Sequence, residues 1–328
     1  MRFPHFSALL FLLFILASVG DAQAQIHHLT QMNSEQIEAL DRSRTVVLLP
    51  GGILEQHGPY LPSFSDGYIN EWVTQRLAEA IVARKGWRVL IFPTIPLGVG
   101  GANEIGRKHV FPGTYAVRST TLRAVFMDLA TELGEQGFRW VFIVHVHGAP
   151  NHNRMLDQAG DYFRDTYGGR MVHLMGLMSL AGAGGGGLSE VERKEEGFSV
   201  HAGAVETSAL LFLRPDLVSP SVPEAKPQTG RNWDDLIRLA RAPGWPGYFG
   251  SPRLATAARG AQVLASDAKN AIEYAMKLLD GLDERQILRL GDFSSKSAPN
   301  VGIDKDGIER EREIEKKQQA WLQKHNLQ

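Results

Sequence analysis

Three stretches of this chain concentrate side chains that can hold a divalent cation. The first is Glu55-Gln56-His57-Gly58-Pro59-Tyr60-Leu61-Pro62-Ser63-Phe64-Ser65-Asp66. Glu55 and His57 are two apart, so in extended chain they point the same way. Asp66 adds a second carboxylate after a Pro/Gly-punctuated loop. Two carboxylates and an imidazole beyond a strand end suit a borderline metal such as Zn²⁺. The second stretch, His145 to Asn153, puts His145, His147 and His152 directly after an apolar run. The third, His201-Ala202-Gly203-Ala204-Val205-Glu206-Thr207-Ser208, sits at a loop-to-helix junction, where helix N–H groups favour anionic oxygen. By itself a Glu-Thr-Ser helix start reads as a cap. The chain has no cysteine, so thiol catalysis and Cys-type zinc sites are excluded and a metal must be held by His, Asp and Glu.

The elements that must carry these residues follow from hydrophobic period. Residues 45–49 and 87–92 read as short buried strands and 69–83 as a helix between them, a βαβ unit with a parallel sheet. A helix over 120–134 and a strongly apolar strand over 138–144 come next, and the strand ends at His145. Ligands gather at the C-terminal ends of strands in open α/β sheets. Helices are expected over 34–40 with Ser34 as cap, 153–167, 209–213 and 261–279, and a strand over 170–178. The loop 97–114, which holds Glu104 and His109, reads as an active-site wall or a surface excursion. The glycine-rich and charged stretch 181–197 reads as a disordered insertion or a mobile lid. Residues 308–324 read as a charge-laced, solvated helix.

The pattern E-x-H-G-x-x-L-P-x-x-x-D at 55–66 resembles the first metal motif of the creatininase family. H-A-G-x-x-E-T-S at 201–208 matches another of its signature segments at every fixed position, and 145–150 is similar to its Asn-Gly-His-Gly-Gly-Asn motif. The resemblance runs over residues 42–265. It implies a three-layer α/β/α fold with a mostly parallel central sheet. It also implies a metal centre, usually binuclear (Zn, with Mn or Fe as alternatives), that hydrolyses non-peptide amide C–N bonds, and a homo-oligomer, often a hexamer. Carried over by position, Glu55, His57, Asp66, His147 and Glu206 are metal ligands, with Asp66 bridging. Glu55 and His147 complete one site, and His57 and Glu206 the other; a single-metal site built from Glu55, His57, Asp66 and His147 is the alternative. His201 is the acid/base, and Glu206 belongs to the catalytic set as well. The chain departs from the pattern at His145, which replaces an Asn, and at Ala149, where creatininase proper has a metal-binding Glu. These departures point toward the wider amidohydrolase branches rather than creatinine itself. A metal-dependent lactonase or esterase, or a non-catalytic metal- or ligand-binding protein on the same scaffold, are the alternatives.

Composition bounds the rest. A formal net charge of −1 provides no field for nucleic acid or an anionic membrane; the resemblance implies a small-molecule amide as the partner. Arg2, an apolar run over 9–19 that is short for a membrane span, and Ala22-Gln23-Ala24 together read as a signal peptide removed near Ala24. The expected organisation is a signal peptide over 1–24, an amidohydrolase domain over 25–293 and a polar tail over 294–328. The mature protein is expected in the periplasm or outside the cell, without stable membrane insertion.

Overall fold

The computed structural model describes residues 25–177, 187–294 and 296–327. The expected signal peptide, residues 1–24, and the glycine run at 181–186 fall outside the described residues. Strands β1 (Ile26–His28), β2 (Thr45–Pro50), β3 (Arg88–Ile91), β4 (Trp140–Val144) and β5 (Arg170–His173) form one sheet of order β1-β3-β2-β4-β5. Every pairing is parallel. β1 was not foreseen; it extends the edge beside β3.

Both faces of the sheet are covered, which explains why its strands are continuously apolar. Val46, Leu48, Val89, Phe142 and Val144 point to one layer, while Val47, Leu49, Leu90, Val141 and Ile143 point to the other. The first layer is built by α2 (Ser65–Val82), α6 (Ala204–Leu213) and α8 (Ala257–Leu279). The second is built by α3 (Ser119–Glu135) and α4 (Pro150–Tyr167). Short α1 (Ser34–Glu38) precedes β2. Its cap is Asn33, not Ser34, because Asn33 and Gln36 exchange side chain-to-backbone hydrogen bonds in a capping box.

Two expectations change. The charged segment after Ser189 is ordered: α5 (Glu190–Glu196) is capped by Ser189 and tied to the body by Glu195–Arg253 and Glu192–Arg259 ion pairs. The tail is also more than a solvated helix. After α7 (Trp233–Arg241) and α9 (Leu290–Ser294), helix α10 spans Ala298–Lys324, and its first half packs onto the domain. Asn300 is buried, Ile303 joins a cluster with Ile105, Leu236 and Trp245, and Asp306 pairs with Arg107. Beyond residue 316 the helix is largely exposed. Among the described residues no helix is long and apolar enough to cross a membrane.

Sequence order also locates a crevice. From β2 the chain winds to β3 on one side, and from β4 it winds to β5 on the other. The direction of winding reverses between β2 and β4, the switch point where open α/β sheets bind ligands. Glu55 and His57 follow β2, and His145 and His147 follow β4.

Candidate metal centre

The β2–α2 loop folds back so that Glu55 N–H donates to the Ser63 carbonyl (2.9 Å), and Asn70 of α2 donates to the Gly51 carbonyl (2.5 Å). Asp66 therefore lies in the first turn of α2 rather than on a loop, where the helix dipole favours a carboxylate. Gly51 must lack a side chain, since a Cβ there would collide with the His145 ring. On the third segment, Glu206 likewise occupies the first turn of α6. Its carboxylate accepts from the Ala202 N–H at 2.5 Å. Ala202 adopts a left-handed backbone (φ 53°), uncommon for a residue with a Cβ. Buried Glu196 accepts from the Ala204 and Ser251 N–H groups (3.0 and 2.6 Å), so α5 anchors the loop that carries His201.

The imidazole orientations are set by backbone carbonyls, which can only accept. His57 Nδ1–H donates to the Glu55 carbonyl (2.9 Å), leaving Nε2 bare. That nitrogen faces Asp66 Oδ1 at 3.4 Å and Glu206 Oε2 at 3.9 Å. His147 is held the opposite way round. Its Nε2–H donates to the Val99 carbonyl (3.0 Å), and Nδ1 faces Glu55 Oε2 at 3.1 Å and Asp66 Oδ2 at 3.5 Å. Asp66 thus presents one oxygen to each bare nitrogen. His201 Nε2–H donates to the Gln56 carbonyl (2.6 Å), its Nδ1 lies 3.8 Å from Glu55 Oε1, and its ring sits 4.4 Å from that of His57.

Electrostatically the site is a set of carboxylates and imidazoles of which all but Glu206 are buried away from bulk water. Burial opposes ionisation of Glu55, but His201, His147 and His57 outweigh it and hold the carboxyl down at about 2. Asp66 is lowered further by its two histidine neighbours against the same burial cost. Burial also opposes a charged His57, yet Asp66, Glu206 and Glu55 push it up to about 9. His147 is raised well above its ordinary value by Glu55 and Asp66. Protons thus occupy the role a metal cation would fill.

The residues fit a metal. His57 Nε2 and Asp66 Oδ2 are buried polar atoms without a hydrogen-bond partner, the condition of ligands awaiting a cation. Each histidine's other nitrogen is anchored to a carbonyl, the outer arrangement that orients metal-bound imidazole. Among the described residues two compact donor groups occur, Glu55 with Asp66 and His147, and Glu55 with His57 and His201. Of the five residues carried over by position, Glu55, His57, Asp66 and His147 fall in these groups, Glu206 falls in neither, and His201 stands beside His57 where Glu206 was expected. Glu206 reaches the cluster through His57 alone, and its side chain is 33% exposed where Glu55 and Asp66 are sealed.

His145 and His152 lie behind the site. Their rings hydrogen-bond each other (3.3 Å), and burial keeps both well below the ordinary histidine value. His109 is outside the site. Trp245, Tyr248 and Phe249 are buried packing residues. Four residues that sequence reasoning missed line the same cavity: Trp233, Asn300, Asp304 and Glu311. The last three share one face of α10, a spacing visible in sequence but carried by polar types that read as solvated.

A family model described as "Creatininase: Creatinine amidohydrolase" matches residues 30–275. A creatinine amidohydrolase of Pseudomonas putida is 28% identical over 242 residues, covering 67% of this chain and 84% of that protein. A mycofactocin precursor peptide peptidase of Mycolicibacterium smegmatis is also 28% identical, over 228 residues covering 67% and 80%. Among solved structures, a crystal structure of creatinine amidohydrolase superposes with a TM-score of 0.57 at 23% identity, covering 78% of this chain and 98% of that one. Two further creatininase structures, each with a TM-score of 0.56, are described as the Mn form and as a mutant of Zn–Zn type.

Proposed function

The chain belongs to the creatininase family of hydrolases, and from that footing we propose that it cleaves a non-peptide, cyclic amide C–N bond with divalent metal held by Glu55, His57, Asp66, His147 and Glu206. One observation carries the reading: one ring nitrogen each of His57 and His147 faces one of the two oxygens of the buried Asp66 carboxylate. The creatininase relatives described with Mn and with Zn support the choice of ion. When bound, such ions polarise a carbonyl and lower the pKa of water at an open position.

The chain's own residues do the rest. Glu55 and Asp66, sealed from solvent, hold their charge fixed, while the exposed edge of Glu206 faces the cavity where substrate arrives. His201, pinned at Nε2 by the Gln56 carbonyl, has Nδ1 free to carry a proton to the departing nitrogen. Hydrolysis places OH on the carbonyl carbon and H on that nitrogen, so one shuttling group suffices. A cavity of about 320 Å³ supports a small molecule over a long peptide.

The peptidase relative motivates a second reading, cleavage of a short peptide. A panel of lactams, matched lactones and dipeptides, assayed by mass spectrometry, separates the readings. Lactam opening that disappears with chelator and returns with Mn²⁺ or Zn²⁺ is expected. Turnover of lactones or dipeptides alone, or activity indifferent to chelator, contradicts the proposal. We further propose export after cleavage near Ala24 and assembly as a homo-oligomer. An N-terminus at Gln25 in secreted material and a multimeric mass by light scattering are the expected results.

A further inference from the structure

The cavity above the candidate metal centre is closed by the C-terminal segment of the chain. Leu290 and Ser294 of α9 and Asn300, Ile303, Asp304 and Glu311 of α10 line it, opposite a floor of Glu55, Asp66, His147 and Glu206. The family match ends at residue 275, so this wall lies beyond the segment shared with the family. It carries charge of one sign. Glu104, Asp304 and Glu311 face the cavity in addition to the floor carboxylates, and no Lys or Arg is among the described lining residues.

These three carboxyls are poorly compensated. Among the described residues, none of the cations lies within 4 Å of Glu104 or Glu311; Glu311 accepts only from the Ser119 hydroxyl (2.6 Å), and Asp304 has Arg154 at 3.8 Å. Burial raises Glu104 to about 7 and Asp304 to about 6. Carboxylates out of water without cations cost free energy, so a ligand that supplies a cation gains from filling the space. Asp66 Oδ2, buried and unpartnered on the floor of the same cavity, marks the space as built for a bound species. Two divalent ions would more than offset the three floor carboxylates Glu55, Asp66 and Glu206, and the wall would keep its own negative charge. Ile303, Trp233 and Leu290 interleave apolar surface able to hold a short hydrocarbon stem.

We propose that the substrate carries a basic group, an amine or amidine cation, on the side away from its scissile amide, and that Glu104 together with Asp304 and Glu311 of α10 selects it. This rests on the amide-hydrolase reading of the same site. The probes are three pyrrolidinones that bear an aminomethyl, a methyl or a carboxylate group on the ring carbon opposite the amide bond. They are titrated calorimetrically into Mn²⁺-loaded full-length protein at about pH 8, above the raised carboxyl values and below the range of an alkyl amine.

The aminomethyl lactam binds about tenfold or more tighter than the methyl one, and the carboxylate binds weakest. Glu104→Gln and Glu311→Gln each reduce the amine preference by about threefold or more, with metal content unchanged. Thermal melts identify any variant that does not fold; the wild-type ranking and the remaining variant then carry the test. Equal affinity for the three probes, no binding of the amine, or a preference undiminished in the folded variants overturns the proposal. An amine preference without ring opening would sink the hydrolase reading and leave this one. Ring opening without an amine preference would do the reverse.

Discussion

Asp66→Asn is the most informative single change, because it keeps shape and removes one charge from the middle of the cluster. Asp66 Oδ1 lies 3.4 Å from His57 Nε2 and Oδ2 lies 3.5 Å from His147 Nδ1. At an effective dielectric of about 20, unit charges that far apart interact by about 5 kcal/mol. A metal ion would keep Glu55 and Glu206, and entering water would recover part of the loss. A net penalty of about 3 kcal/mol remains, roughly 100-fold or more in metal affinity. Calorimetric titration of metal-free wild type and variant with Zn²⁺ or Mn²⁺ measures this directly. The variant should also bind fewer ions per chain, since one carboxylate serves both nitrogens. In the metal-free variant, His57 should fall from about 9 toward or below its ordinary 6.5, visible in an NMR titration, as burial then meets less opposition. Unchanged affinity and stoichiometry in a folded Asp66→Asn protein would refute the bridging geometry.

Further outcomes follow from the same arrangement. His201→Asn should lower turnover by about 10²–10⁴ while metal content, measured by mass spectrometry, is kept; loss of an ion instead would assign His201 to the ligands, as its grouping with Glu55 and His57 allows. Metal uptake should release protons. His57 is raised to about 9, so below that pH the metal-free ring is protonated and binding must expel the proton. Affinity should therefore fall as pH drops, and at neutral pH the apparent binding enthalpy should vary with the ionisation enthalpy of the buffer; no such variation would contradict the charge assignment. Phe126→Ala removes a fully buried ring of α3 that packs edge-on against His145 (5.4 Å). It should cost about 3–5 kcal/mol of stability in denaturant unfolding.

Much of this architecture is legible in the sequence for a physical reason. β2 and β4 are buried on both faces, so Val46 to Leu49 and Val141 to Val144 are unbroken apolar runs that only a covered parallel sheet explains. The switch point then puts the two motif-bearing loops side by side. Helix starts were less visible. Ser65-Asp66-Gly67 and Pro150-Asn151-His152 look like loop, yet they are first turns of α2 and α4, where polar side chains satisfy the site instead of solvent. The inner face of α10 was concealed for a related reason. Asn300, Ile303, Asp304, Gly307 and Glu311 recur at helical spacing, but they face a polar cavity, so hydropathy does not mark them as buried. Glu104 reads in the sequence as a loop acid, because its depth depends on α10 packing across it, a contact between distant parts of the chain.

Anomalous diffraction from crystals grown with Zn²⁺, recorded across the zinc absorption edge, tests the central claim most directly. The account predicts edge-dependent density among Glu55, Asp66 and His147, with a second peak toward His57, and Asp66 reaching both. A catalytically active crystal form with no anomalous density at those side chains would contradict it.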